Sequence, residues 1–123
     1  MPVMVYGIKN CETMKKAFAW LDRHGVVYSF HDYKKLGITG DRLERWVSRT
    51  GGWEHVVNKG GLTFRGLPET TKGNLDDGRA IALMIERPSM IRRPIIEADG
   101  GKLIIGFSDE SFTASFDPSN PAP

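Results

Sequence analysis

The stretch that decides the fold is VYGIKNCETMKKAFAWL, residues 5–21, because the spacing of its apolar residues changes halfway along. The apolar run at 3–8 is rich in β-branched and aromatic residues, which predicts a central strand buried on both faces. Gly25 stands where a glycine commonly ends a helix. Between Cys11 and that glycine the apolar residues recur at helical spacing, at Met14, Ala17, Phe18 and Leu21. The order is therefore strand, short turn, helix.

The next segments extend this unit. Residues 26–33, VVYSFHDY, predict a second strand, which gives the order strand, helix, strand of a right-handed parallel unit. A second helix is predicted at about 41–50, where Asp41 and Glu44 have the spacing of a capping box.

The middle of the chain lacks a sustained period. Residues 52–73 are rich in glycine and predict loop with short helical turns. Asp76 and Asp77 then begin a run with a helical apolar face, and Pro88 ends it. We therefore expect about three helices between the two halves of a sheet.

The last third predicts a hairpin and a helix. The apolar segments 94–98 and 102–105 are separated by an Asp-Gly turn, which favours a tight hairpin. Ser108 can cap a final helix, with Phe107 and Phe112 at the spacing of a hydrophobic staple and Phe116 one turn further on.

This order of elements predicts an α/β protein with a mixed four-stranded sheet. It fits a thioredoxin-like (glutaredoxin-like) fold with a helical insertion at about 41–90. We expect a single domain over 1–116 and a disordered tail at 117–123, DPSNPAP.

The composition narrows the class of protein. A chain of 123 residues, 40% of them hydrophobic, can bury one core, and a net charge of +2 gives no reason to expect a nucleic acid or a membrane as partner. No apolar run reaches the roughly 20 residues of a membrane span and no secretory signal is evident, so we expect a cytoplasmic protein. The three histidines lack metal-ligand spacing, and no metal site is expected.

Cys11 is the only cysteine and the main candidate for chemistry. At the start of a helix its sulfur would lie near unpaired N–H groups and the positive end of the helix dipole, which favour a thiolate. Lys9, Lys15 and Lys16 flank it, and Lys15 returns to its side of the helix. Two interpretations stay open here: a reactive thiolate, or a small buried hydrophobe.

A second thiol is missing from the place where dithiol enzymes keep one. The sequence CETM has Met14 at that position, so an oxidised or substituted Cys11 would need an external thiol, for which glutathione is the expected choice. No bound cofactor is expected.

Four segments, in this order, resemble the ArsC-related proteins of bacteria, specifically their YffB-type branch, with the Spx-type regulators as relatives. They cover nearly the whole chain and read YGIKNCETMKKA, GGLTFRGL, MIRRPI and GFSDESF. The resemblance implies a thioredoxin-like fold. It also implies that Cys11 matches the catalytic cysteine of glutaredoxin-linked arsenate reductases, Arg93 an oxyanion-binding arginine and Pro94 the cis-proline that faces the cysteine.

The departures from that pattern bear on the substrate. The arsenate reductases have arginines where this chain has Lys15 and near Asn58 and Gly106, and neither lysine nor asparagine reproduces the bidentate contacts of a guanidinium. Arg65 is typical of the YffB and Spx branches and could partly replace the missing cation. These differences argue against arsenate reduction.

The sequence thus favours a monomeric, glutathione-dependent thiol reductase that acts on a small electrophile or oxyanion, with glutaredoxin as a possible further partner. Cys11 is the expected nucleophile, and Lys9, Lys15, Arg65 and Arg93 are the expected stabilising cations. The alternative is a non-catalytic, Spx-like module that binds the transcription machinery.

Overall fold

A computed structural model describes residues 3–98 and 101–116 of the chain. The strands are β1 (Val3–Gly7), β2 (Tyr28–Asp32), β3 (Ile95–Glu97) and β4 (Leu103–Ile105). The helices are α1 (Glu12–Arg23), α2 (Tyr33–Leu36), α3 (Gly40–Thr50), α4 (Leu62–Arg65), α5 (Glu69–Gly73), α6 (Asp77–Glu86) and α7 (Asp109–Phe116). Single 3₁₀ turns lie at Trp53–His55 and Pro88–Met90.

The described residues fall into two compact units. Unit 1 runs up to Asp32 and resumes at Arg93, so it holds the four strands, α1 and α7. Unit 2 is Tyr33–Arg92 and contains the other helices. The single domain expected over 1–116 stays a prediction, and the expected tail at 117–123 lies outside the described residues.

The sheet of unit 1 has the order β2-β1-β3-β4. β1 and β2 are parallel, with Val5 opposite Phe30, whereas β1 with β3 and β3 with β4 are antiparallel. The mixed four-stranded sheet and the central place of β1 are therefore confirmed. The hairpin of β3 and β4 is also present, although the Asp-Gly of its turn lies outside the described residues.

One face of this sheet packs on α1 and α7. Val3 and Val5 point the same way because they are two residues apart, and they join the α1 side chains Met14, Ala17, Trp20 and Leu21 in one buried cluster with Ile96, Ile104 and Phe112. The predicted staple is confirmed, since the rings of Phe107 and Phe112 lie 4.7 Å apart, edge to face. The predicted cap is confirmed too, because the Ser111 N–H donates to Ser108 Oγ at 3.0 Å.

α1 ends in the motif that its glycine predicts. Gly25 has φ of 67°, and its N–H donates to the Asp22 carbonyl at 3.2 Å. The Val26 N–H donates to the Leu21 carbonyl at 2.9 Å, which completes a Schellman motif. Val26 therefore closes the helix, and this is why β2 begins two residues later than the sequence suggested.

β2 also ends earlier than expected, at Asp32. Tyr33 was expected in the strand but opens α2, and its hydroxyl donates to the Ile91 carbonyl at 3.1 Å within unit 2. A fully buried tyrosine needs such an acceptor for its hydroxyl. The strand prediction at this residue is wrong because tertiary hydrogen bonding outweighs the β preference of an aromatic residue.

The helices of unit 2 begin at polar caps. α6 starts as predicted, with the Asp76 carboxylate accepting from the Arg79 N–H at 2.8 Å. α3 starts differently: its cap is Thr39, whose hydroxyl accepts from the Arg42 N–H at 3.3 Å, so the capping box expected at Asp41 is wrong. Asp41 lies inside the first turn, where a carboxylate also favours the helix dipole. The short helices α4 and α5 confirm the prediction for the glycine-rich middle.

Candidate functional site

Cys11 lies at the junction of the central strand and the first helix. β1 ends at Gly7, residues 8–10 form a short connection, and Cys11 is the N-cap residue of α1 with φ of −116° and ψ of 135°. At an N-cap the backbone is still extended, so the side chain faces the N–H groups of the second and third helical residues. The strand-to-helix turn therefore directs Sγ to the positive end of α1.

The thiol is half-buried. Its side chain packs against the cluster under α1, and yet part of the residue stays open to solvent. A fully enclosed thiol would be inert, whereas a partly exposed one beside cations can react. The exposure is thus compatible with a nucleophile and does not support a purely structural sulfur.

Burial and three neighbouring groups set the ionisation of this thiol. Partial burial raises the pKa of Cys11, but the N–H of Met14, the guanidinium of Arg93 and the N–H of Thr13 lower it by more, so the net pKa lies below the ordinary value of cysteine. The neutral thiol makes no capping hydrogen bond of standard geometry. The same N–H groups interact more strongly with the anion, since ionised acceptors form the stronger hydrogen bonds.

The sheet explains how Arg93 reaches Cys11. β3 is antiparallel to β1 with Ile95 opposite Tyr6, so the residues just before Ile95 lie beside the end of β1, where the Cys11 connection begins. The Arg93–Pro94 peptide bond is cis. Arg93 is half-buried, and its guanidinium lowers the pKa of the Cys11 thiol both by hydrogen bonding and by its charge.

The two expected lysines of unit 1 lie on the surface. Lys15 is paired with Glu12, with Nζ 3.6 Å from Oε1, and its side chain is 62% exposed. Such an exposed ion pair contributes little to stability, and the Glu12 carboxylate offsets the charge of Lys15. Lys9 is exposed in the connection before Cys11. Their roles at the thiolate stay predictions.

Arg65 belongs to unit 2, at the end of α4, and is exposed. Its N–H donates to the Gly61 carbonyl at 3.0 Å, and its carbonyl accepts from Lys72 Nζ at 3.1 Å. Lys59, in the same unit, is paired with Glu54 at 2.9 Å. The contribution of Arg65 to the site therefore stays a prediction.

Gly106 has a structural reason to be glycine. Its φ is 80°, a conformation that other residues rarely adopt, and its N–H donates to the Pro94 carbonyl at 2.8 Å. An arginine at this position would be strained. At position 106, where an arginine was expected in the arsenate reductases, this chain has a glycine without a cationic side chain.

The sequence did not identify the individual backbone donors of the site. The N–H groups of Met14 and Thr13 lower the pKa of Cys11, and the only sequence signal for them is the three-residue spacing from a cap to the end of the first turn. Among the described residues, no three histidine, cysteine, aspartate or glutamate side chains are grouped so as to hold a metal ion. In the same residues, no helix has both the length and the apolar character needed to cross a bilayer.

Comparison with known proteins agrees with this geometry. The profile of the ArsC family matches residues 6–115. The structure of a protein named YFFB is 48% identical and has a TM-score of 0.84, covering 90% of this chain and 96% of that one. An arsenate reductase (ArsC) related protein from Brucella melitensis is 49% identical with a TM-score of 0.76, covering 95% and 96%. The global transcriptional regulator Spx of Streptococcus mutans is 32% identical over 85% of this chain and 76% of its own length.

The sheet order, the flanking helices and the cysteine at the start of α1 define a thioredoxin-like α/β protein. Within that class, the chain belongs to the ArsC family. It is related both to arsenate reductase-related proteins and to Spx regulators, which confirms the resemblance seen in its sequence.

Proposed function

We propose that this protein is a glutathione-dependent thiol reductase with Cys11 as its nucleophile. The observation that carries the proposal is the position of Cys11 as the N-cap of α1 beside the Arg93 guanidinium, with its pKa below the ordinary value. A larger thiolate fraction at neutral pH raises the rate of attack on an electrophilic sulfur. Met14 leaves no internal thiol three residues on, so the second thiol comes from glutathione.

The proposed reaction consists of two thiol exchanges on a mixed disulfide of glutathione. In the first, the Cys11 thiolate attacks the glutathionyl sulfur, the substrate S–S bond breaks and the substrate thiolate leaves with the electron pair. In the second, a glutathione thiolate attacks the glutathionyl sulfur on Cys11, which releases oxidised glutathione and the Cys11 thiolate. The proton of the incoming glutathione ends on the released substrate thiol.

The charges in unit 1 favour this substrate class over a multiply charged oxyanion. Arg93 is the cation that lowers the pKa of Cys11, Lys15 is paired with Glu12, and Gly106 carries no side chain. One guanidinium and the N–H groups of the first turn suit a single negative charge. Lys9, Lys15 and Arg65 are proposed as weaker contributors, and a cytoplasmic monomer without a bound cofactor is the expected form.

The proposal is tested by turnover. The substrate is the mixed disulfide of glutathione and 2-mercaptoethanol, and the release of oxidised glutathione is followed by NADPH consumption through glutathione reductase. We expect the wild type to exceed the uncatalysed rate by at least about ten-fold, because a lowered pKa gives Cys11 a larger thiolate fraction at neutral pH. Cys11→Ser should return to the background rate.

Lys16→Ala is the matched control, because Lys16 is an exposed cation of α1 that the proposal does not use. It should turn over like the wild type. Equal rates for the wild type and Cys11→Ser would reject the proposal, and so would activity that does not depend on glutathione.

A second function has one observation in its favour, the 32% identity to the Spx regulator of Streptococcus mutans. In this alternative the protein is a non-catalytic module that binds the transcription machinery. Because Met14 removes the second cysteine, such a module would work without an internal disulfide switch.

The test of the alternative is a pull-down of RNA polymerase from a bacterial lysate, with the wild type and Cys11→Ser as baits. Retention of polymerase subunits by both baits would support a binding module. A pull-down without polymerase would reject it.

A further inference from the structure

Met14 occupies the space that a side chain at position 7 would need. A Cβ added to Gly7 would lie 2.5 Å from both Sδ and Cε of Met14, well inside van der Waals contact. The φ of Gly7 is not positive, so its backbone conformation does not demand glycine. A Cβ at position 7 would therefore force the end of the Met14 side chain to move.

Met14 is also packed in the hydrophobic core of unit 1. Its side chain is fully buried and belongs to the cluster that contains Val5 of β1 and the α1 residues Ala17 and Leu21. Cys11 packs against the same cluster. The first turn of α1 is therefore fixed to the end of β1 by one side chain, across the short connection that carries the nucleophile.

Met14 is the third residue of α1, and the N–H of a third helical residue is one of the two that face the cap side chain. We propose that Met14 is a positioning residue for Cys11: its side chain, packed against Gly7, fixes the first turn so that its own N–H is directed at Sγ. Among the hydrogen bonds that lower the pKa of Cys11, the one from this N–H has the largest effect. The inference rests on the proposed function only in treating Cys11 as the reacting group.

Other charges bear on the same thiol and are left unchanged by the test. Arg93 lies before β3, Glu12 and Lys15 form a pair on α1, and Lys9 lies in the connection. Substitutions at positions 7 and 14 change packing without adding or removing a charge. A change in thiol ionisation would therefore report the position of the first turn.

The experiment measures the rate of iodoacetamide alkylation of Cys11 against pH, in the wild type, Gly7→Ala, Met14→Ala and the double variant. Both single variants should alkylate about three- to ten-fold more slowly at pH 7 and reach half of their plateau rate at a higher pH. The double variant should resemble Met14→Ala, because the methyl group added at position 7 then meets no methionine.

Leu21→Ala is the matched control. Leu21 is fully buried in the same cluster but two turns further along α1, so its truncation should cost comparable stability and leave alkylation within about two-fold of wild type. Circular dichroism checks that each variant is folded. If Gly7→Ala does not fold, the alkylation rates of Met14→Ala and Leu21→Ala are compared, and this comparison tests the inference.

Two results would overturn the inference: folded Gly7→Ala and Met14→Ala variants that alkylate like the wild type, or a Leu21→Ala variant that slows as much as Met14→Ala. The assay contains neither glutathione nor a disulfide substrate. A protein without reductase activity can therefore still pass it, and the two proposals fail independently.

Discussion

Two helices of this protein, α1 and α6, begin with the same backbone conformation and different chemistry. Asp76, the cap of α6, is extended, and its carboxylate accepts from the Arg79 N–H at 2.8 Å. Cys11, the cap of α1, is also extended, but its sulfur makes no capping hydrogen bond of standard geometry. An oxygen cap is worth about 1 kcal/mol of stability, so α1 lacks a stabilisation that α6 has.

The two caps differ in what they do with the free N–H groups of the first turn. At α6 one of the free N–H groups, that of Arg79, donates to a side chain whose role is structural. At α1 the corresponding groups, those of Thr13 and Met14, lower the pKa of a thiol and remain available to an anion. The same backbone feature thus stabilises the fold at α6, whereas at α1 it lowers the pKa of the Cys11 thiol.

Cys11→Ser should produce the largest effect on turnover. It also separates the catalytic role proposed for the cap residue of α1 from the stabilising role of an oxygen cap. We expect glutathione-dependent turnover to fall to the uncatalysed background, a loss of at least about ten-fold, because a serine hydroxyl is not ionised at neutral pH. The unfolding free energy should rise by about 0.5 to 1 kcal/mol, because an oxygen can now cap α1. Turnover assays and chemical denaturation check the two halves, and a loss of stability would contradict the comparison.

Arg93→Ala tests the cation of the site. Removing the guanidinium should raise the pKa of Cys11 and slow its alkylation about three- to ten-fold at pH 7. Arg93→Lys should restore part of the rate, since it keeps the charge but not the planar donor pair. Arg92→Ala is the matched control at an exposed neighbour and should change little. Equal slowing in both alanine variants would point to a general charge effect.

Asp76→Ala tests the structural cap. The variant should lose about 1 kcal/mol of unfolding free energy, because the Arg79 N–H loses its acceptor. Asp76→Asn keeps an oxygen at the cap and should lose much less. Cys11 alkylation should be the same in all three proteins. A stable Asp76→Ala variant would show that the contrast between the two helix starts has no energetic basis.

The smallest expected effect is the dependence of stability on pH. The pKa of Cys11 is lower in the folded protein than in the unfolded chain, where a cysteine has a pKa of about 8.5. The thiolate therefore stabilises the fold fully above the unfolded pKa, and this contribution is lost as the pH falls through the folded pKa. The wild type should gain stability relative to Cys11→Ala as the pH rises from the folded pKa towards the unfolded pKa of about 8.5. If the stability of the wild type relative to Cys11→Ala fell as the pH rose, the lowered pKa of Cys11 would be contradicted.

The fold was largely predictable because its signals are local. The apolar period of α1, the glycine that ends it and the staple of Phe107 and Phe112 each depend on a few neighbouring residues. The wrong predictions fall where another interaction outweighs the local signal. Tyr33 lies outside the strand, and its hydroxyl donates to the Ile91 carbonyl within unit 2. Thr39, and not Asp41, is the N-cap of α3.

The site was predictable only in part, because its members are far apart in the chain. Cys11 follows from the change of period in the sequence, but the proximity of Arg93 depends on the antiparallel register of β3 with β1, which no local pattern encodes. Arg93 was proposed only through the family resemblance. The close contact of Gly7 and Met14 had no sequence signal either, since each residue alone fits a strand end or a helix face.

The central claim is that Cys11 is prepared as a thiolate, and its pKa in the wild type tests this most directly. The measurement is the pH at which iodoacetamide alkylation reaches half of its plateau rate, compared with a free cysteine peptide in the same buffer. A midpoint well below that of the peptide is the predicted result, since the N–H groups of α1 and the Arg93 guanidinium favour the anion. A midpoint at or above the peptide value, or no alkylation of the folded protein, would contradict the account and make Cys11 a structural residue.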